Sequence, residues 1–232
     1  RGALVGFADD VGAADSCART ARMTGVATLL WSCTDGNCRN VRRRAEQDGI
    51  PPEAFTARTA QLYRDVEARF SIAYDRFIRT EDEDHVRGVQ AFIAKMQARG
   101  DIYKGSYEGW YCVSCEAFKQ DADLNDGYCL IHPRLKAQWL KEENYFFKLS
   151  AYQERLQQHI EKHPDFIRPE SRRNEILGWL KTGLQDFSIS RSTIKWGIPF
   201  PGDDRHVVYV WGDALVNYVT GVGYGADEAR FK

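Results

Sequence analysis

Three cysteines and one histidine stand at spacings that suit a single metal ion. Cys112 and Cys115 form a C-x-x-C pair, and thirteen residues later Cys129 and His132 form a C-x-x-H pair. A two-residue spacer lets both ligands of a pair turn back onto one ion, and two such pairs close a Cys3His tetrahedron around Zn2+. Four protein ligands leave no open coordination position, so this zinc is expected to be structural. The connecting segment carries Asp121, Asp123, Asn125, Asp126 and Gly127 and reads as a loop between two knuckles. Disulfides or scattered free thiols are the bland alternatives, and the regular internal spacing weighs against them. The other cysteines, Cys17, Cys33 and Cys38, are expected to be free thiols in a reducing compartment.

The elements that position this cluster and any reacting group alternate between strand and helix. Residues 13–24 are good helix formers ending before Gly25, a suitable C-cap. Val26 to Trp31 is a short apolar run of the kind buried in a parallel sheet. A loop over Ser32 to Asn37 follows, and Val41 to Asp48 restarts a helix. In an open α/β sheet ligands sit beyond strand carboxyl ends, which singles out Asp35; a helix cap or turn former is the plain alternative for it. Arg42, Arg43 and Arg44 have the charge to touch phosphate, although such a run is more often a solvated helix face.

Further helices are predicted over Pro51–Arg69, Asp84–Arg99, Ser150–Lys162 and Pro169–Thr182, with extended segments at Tyr74–Thr80 and Ile102–Tyr111. The stretch 188–203 is irregular. His206 to Trp211 reads as a second buried strand ending near Asp213, and Ala214 to Val219 as a helix. The expected fold class is therefore α/β, a sheet domain interrupted by a large insertion.

Composition narrows the function classes. A net charge of -1 provides no global attraction to nucleic acid or to a membrane, so any polyanion contact must be local. No apolar run approaches the roughly 20 residues that span a bilayer, and the first residues lack a signal-peptide pattern. A cytoplasmic protein without a membrane partner is expected.

Several blocks resemble the class I methionyl-tRNA synthetases of bacterial and organellar type. They are DIYKGSYEGWYCVSCE, EENYFFKLSAYQ, PDFIRPESRRNEIL, the SISR of 188–191, KWGIPFPGD and VVYVWGDALVNYVTG, in family order. The match is dense from Ile72 to Tyr224 and thin over residues 1–50. The resemblance implies a Rossmann-like class I synthetase core over 1–100 and 204–232, with an inserted zinc-knuckle connective domain over 101–203. It implies a methionine side-chain pocket at Trp211, Ala214, Leu215 and Tyr218, where aromatic surfaces suit a thioether. By the same match Asp35 would hold the α-ammonium and Arg191 would approach the pyrophosphate or adenylate. Gly6 would let adenine approach the backbone. ATP with Mg2+, methionine or a related amino acid, and tRNA are the implied partners.

Departures from the family pattern bear on activity. The H-x-G-H signature falls on Leu4-Val5-Gly6-Phe7, and T-D-E-H-G falls on Thr34-Asp35-Gly36-Asn37-Cys38. Leu4 and Phe7 cannot donate hydrogen bonds to phosphate. The family's first sheet strand, K-M-S-K-S loop and anticodon-binding helices find no counterpart in these residues, so the core is expected to be incomplete. Three functions stay open: ATP-dependent methionine activation and transfer to tRNA, a non-catalytic zinc-knuckle binding module, and activation of another amino acid in a biosynthetic pathway of the hydrazine-forming kind.

Overall fold

The structure is a computed structural model that describes residues 3–115 and 117–231. The first helix, α1, spans Ala3–Met23, ten residues longer at its start than its composition suggests. It ends at Gly25, whose positive φ of 79° closes the turn as expected of a C-cap. The strand that follows is shifted. β1 covers Trp31–Thr34, not Val26–Trp31, because the Asp75 carboxylate takes the Leu30 N–H and ends the ladder there. Helices α2 (Arg39–Asp48) and α3 (Pro52–Arg69) come next, and β2 (Arg76–Arg79) lies parallel to β1 with Trp31 opposite Arg76. Ala45, Ala60 and Ile78 are buried in this part of the molecule.

Helix α4 (Glu83–Ala98) leads into a long antiparallel hairpin of β3 (Ile102–Cys112) and β7 (Gln138–Phe147), paired from Ile102↔Phe147 to Tyr111↔Gln138. At its tip lie β4 (Ala117–Lys119), β5 (Leu124–Asn125) and β6 (Tyr128–Cys129). Asp126 and Gly127 both take positive φ, the two-residue turn that joins β5 to β6. Sequence periodicity assigns no element over β7, where the pairing with β3 decides the strand.

Helices α5 (Gln153–Lys162) and α6 (Glu170–Lys181) pack through Ile160, Leu180 and Leu184. Two short strands follow, β8 (Phe187–Ser188) and β9 (Ser190–Arg191); β8 joins the edge of β7 to give the order β4-β3-β7-β8. The expected second buried strand, His206–Trp211, shrinks to β10 (Val207–Val208), antiparallel to β9 and not part of the sheet of β1. The chain turns into α7 (Val210–Ala214) as the Tyr209 carbonyl accepts the Gly212 and Asp213 amides. Helices α8 (Asn217–Thr220) and α9 (Glu228–Phe231) complete the order. Val89 and Ile93 of α4 meet Ile189, Ile198, Phe200, Val208 and Val216 in the main apolar core, against which Ile102, Tyr145 and Phe147 of the hairpin pack. Among the described residues, no helix is long and apolar enough to cross a membrane.

Candidate metal cluster and aromatic pocket

Local chain geometry assembles the first site. Cys112 ends β3, Cys115 sits in the turn before β4, Cys129 lies on β6, and a turn through the Cys129 carbonyl and the His132 N–H brings the ring back. The four ligand atoms all lie within 4.8 Å of one another. Cys115 Sγ is 3.5 Å from Cys129 Sγ and 3.1 Å from His132 Nδ1, and Cys112 Sγ is 3.8 Å from the same nitrogen. A tetrahedron with metal–sulfur bonds of about 2.3 Å has sulfur–sulfur edges of about 3.8 Å, so the cluster has the size of a zinc site.

The thiols are not independent of one another. Burial pushes Cys115 up to about 11, reinforced by the Cys129 and Cys112 thiols. Burial acts on Cys129 in the same direction, yet the His132 and Ile131 amides and the neighbouring thiols outweigh it and bring it down to about 6. The Cys129 thiolate therefore forms readily while that of Cys115 is disfavoured, and a cation bound among them would favour both thiolates. Outside the cluster, Cys17 and Cys33 are free thiols.

Residues far apart in the chain build the second site. A pocket of about 310 Å³ opens between Leu29–Cys33 and the α7–α8 segment, lined by Leu29, Trp31, Cys33, Ala214, Asn217 and Tyr218. Trp31 and Tyr218 meet edge to face at 6.5 Å between ring centroids. Gly221 permits this, since a Cβ there would lie 3.0 Å from the Trp31 ring. Of the four residues expected in an amino-acid pocket, Ala214 and Tyr218 line it. Trp211 and Leu215 do not. They share the same helical face and stand exposed, Trp211 at 51% and Tyr218 itself at 68%.

Sequence reasoning misses Asn217. It is buried, it lines the pocket, and neither Nδ2 nor Oδ1 of its amide has a hydrogen-bond partner. Such a group costs about 1–3 kcal/mol unless something satisfies it. The only sequence signal is an amide one turn before Gly221, too weak to single out.

Asp35 is exposed in the loop after β1, and that loop is clamped on both sides. The Gly36 N–H donates to Thr80 Oγ1 at 3.0 Å, and the Trp196 indole donates to the Gly36 carbonyl at 2.8 Å. Asn37 Nδ2 donates to Asp213 Oδ2 at 2.7 Å, whose other oxygen lies 3.2 Å from His85 Nε2. His85 Nδ1 is 2.7 Å from Thr220 Oγ1. His85 and Asp213 are both fully buried, so this chain of contacts fixes the Asp35 loop, α7 and α8 against one another. Burial pushes the Asp213 carboxyl up, against the pull of His85 and Asn37.

Arg191 lies elsewhere. It is 3% exposed, donates from Nη1 to Ser188 Oγ and to the Ser190 carbonyl, and stacks 3.8 Å above the Tyr209 ring. The pocket it lines is a separate one of about 210 Å³ with Phe146, Asp186 and Tyr209. Gly6 sits in the opening turns of α1 with nothing within 4 Å of where its Cβ would be. Phe7 packs edge-on against Tyr63 of α3 at 4.5 Å, a structural contact. The side chain of Leu4 lies outside the described residues.

The α/β core belongs to the class I tRNA synthetase family: the family model described as tRNA synthetases class I (M) matches residues 5–132 and 119–232. The methionine–tRNA ligase of Clostridium acetobutylicum is 48% identical over 216 residues, covering 93% of this chain and 33% of that protein. That of Thermotoga maritima is 44% identical, covering 94% and 35%. A solved Mycobacterium tuberculosis methionyl-tRNA synthetase bound by methionyl-adenylate superposes with a TM-score of 0.90 at 38% identity, covering 95% of this chain and 44% of that one. The apo form of the same enzyme gives 0.79 at 36% identity, covering 95% and 42%. The chain belongs to the methionyl-tRNA synthetase family, and it spans about a third of the length of the curated relatives it matches.

Proposed function

We propose that this chain recognises methionine within a methionyl-tRNA synthetase fold and takes part in its ATP-dependent activation for transfer to tRNA. The observation that carries the reading is the pocket of Trp31, Ala214 and Tyr218 with the unsatisfied Asn217 amide at its wall. A thioether gains from sulfur–aromatic contact on such rings, and the Asn217 amide offers a polar contact to the ligand. Asp35, held beyond the carboxyl end of β1, pairs with the α-ammonium.

Cys112, Cys115, Cys129 and His132 hold one structural Zn2+, and Lys119 beside Cys115 offsets the negative charge of three thiolates. The ion's contribution is to hold the tip of the β3–β7 hairpin together, and the domain so formed is the inserted connective unit of residues 101–203. ATP arrives with Mg2+, and Gly6 is the residue the family match assigns to its side; Arg191, 3% exposed and bonded to Ser188 and Ser190, serves packing in this arrangement. The chemistry of activation is positioning plus electrostatic stabilisation of an in-line displacement at the α-phosphate, with pyrophosphate leaving. Leu4 and Phe7 bring no donor to it, so the activation step runs slowly.

Methionine-dependent exchange of pyrophosphate into ATP tests the reading. Slow exchange that depends on methionine, and that rises at least tenfold in Leu4→His/Phe7→His, is the expected result. Exchange that is indifferent to methionine in both proteins would overturn it.

A further inference from the structure

A second concave site lies between α2 and the hairpin tip, away from the amino-acid pocket. It has a volume of about 290 Å³ and is lined by Arg39, Arg42 and Arg43 on one side and by Val113, Leu140 and Ile194 on the other. Val113 belongs to the C-x-x-C turn, so this pocket joins the parallel-strand core to the cluster-bearing tip.

Its charge is set by five groups. Glu142, buried on β7, accepts from Asn144 Nδ2 at 3.1 Å and from Thr193 Oγ1, and lies 3.5 Å from Arg39 Nη2. Arg39 also donates to Thr193 Oγ1 at 2.7 Å and lies over the Tyr111 ring, while its enclosed Nε has no hydrogen-bond partner. Arg42 pairs with Glu46 at 2.8 Å, and Arg43 donates to Asn40 Oδ1 at 3.2 Å. Three guanidinium groups against two carboxylates leave one positive charge. The placement is also electrostatically costly: α2 carries no acidic residue in its first turn, and its positive end bears arginines instead. An anion relieves that repulsion.

We propose that this pocket seats one unpaired nucleotide of an RNA strand, with its phosphodiester on Arg42 and Arg43 and its base or ribose on Val113, Leu140 and Ile194. A single diester phosphate matches one residual positive charge, whereas a triphosphate would leave several charges uncompensated. The aliphatic wall gives a splayed base or ribose a sequence-tolerant apolar surface, and the guanidinium planes opposite are of the kind on which unpaired bases stack. A duplex presents a convex surface that a concavity of this size does not admit. RNA as the occupant rests on the proposed function; the charge and shape of the pocket do not.

Fluorescence polarisation of a labelled single-stranded RNA hexamer against the whole chain is the test. Arg42→Ala/Arg43→Ala is expected to weaken binding at least tenfold and to lower the slope of log K on log salt by about 0.7 for each phosphate that is no longer neutralised. Arg44→Ala is the control, because Arg44 is exposed, pairs with Asp48 and lies outside the pocket; its affinity is expected to stay within twofold. The charge reversal Arg43→Glu should weaken binding further than Arg43→Ala. Four results would each overturn the inference: no binding of the strand, equal losses for Arg44→Ala and the double variant, a duplex of the same length binding as well, or inorganic phosphate displacing the strand at matched concentration. Calorimetric methionine titration of the same double variant is expected to be unchanged, so failure here would leave the methionine reading standing.

Discussion

The cluster of Cys112, Cys115, Cys129 and His132 and the pocket of Trp31, Asn217 and Tyr218 are made in opposite ways. The cluster is assembled by a turn, a two-residue hairpin and another turn, all within 21 consecutive residues at the tip of one hairpin. The pocket joins segments about 185 residues apart, and a buried His85–Asp213–Asn37 network secures that joint. A site held by local spacing depends on its ligand for rigidity. One held by tertiary packing depends on the core, and it forms whether or not the ligand is present.

That contrast can be broken most forcefully at the cluster. Cys115→Ser is expected to drop bound zinc from one equivalent to near none and to loosen the hairpin tip, since structural zinc binding is worth on the order of 10 kcal/mol. Elemental analysis and chelator-induced changes in circular dichroism read both effects. Methionine binding should survive, because the pocket does not share the ligand. Full zinc retention in the variant would remove the metal assignment.

At the pocket the largest effect should come from the buried network. Asp213→Ala strands His85 and the Asn37 amide and is expected to cost about 3 kcal/mol, measured by chemical denaturation. The same residue gives a pH dependence with a definite sign. Burial raises the Asp213 carboxyl above the ordinary aspartate value of 3.8, so the folded state holds its proton more tightly than the unfolded chain does. The stability it contributes is fully present below that ordinary value and is lost as pH rises through the raised one. Asp213→Asn, neutral throughout, should flatten that fall. Gly221→Ala should be milder, about 1–2 kcal/mol, as the added methyl displaces the Trp31 ring.

How much was legible in the sequence follows the same divide. Cysteine and histidine spacing gave the cluster outright, because a C-x-x-C turn is a local structure. Helix boundaries at Gly25 and Gly100 were readable, since each needs a positive φ. The strand positions were less so. Apolar runs mark burial, not pairing, and Val26–Trp31 yielded to Trp31–Thr34 once Asp75 took the Leu30 amide. The run His206–Trp211 looked like a strand for the same reason, although only Val207 and Val208 pair. Ala214 and Tyr218 entered the pocket through family resemblance, whereas Trp31 and Asn217 had no pattern to announce them. His85 gave no signal, and Asp213 entered only as the carboxylate at the end of a predicted strand; their partnership exists only after folding.

The smallest expected effect on stability carries the central claim. Tyr218 is largely exposed, so Tyr218→Ala should change folding by less than about 0.5 kcal/mol. If the methionine side chain packs against the wall formed by Trp31 and Tyr218, the same substitution removes a sulfur–aromatic interaction of about 1 kcal/mol and weakens methionine binding roughly fivefold. Calorimetric titration of wild type and Tyr218→Ala with methionine measures this directly, with Trp31→Ala as the companion variant. Weaker binding in both variants, at unchanged stability for Tyr218→Ala, is the predicted result. Equal affinities for methionine in all three proteins would contradict the assignment of this pocket.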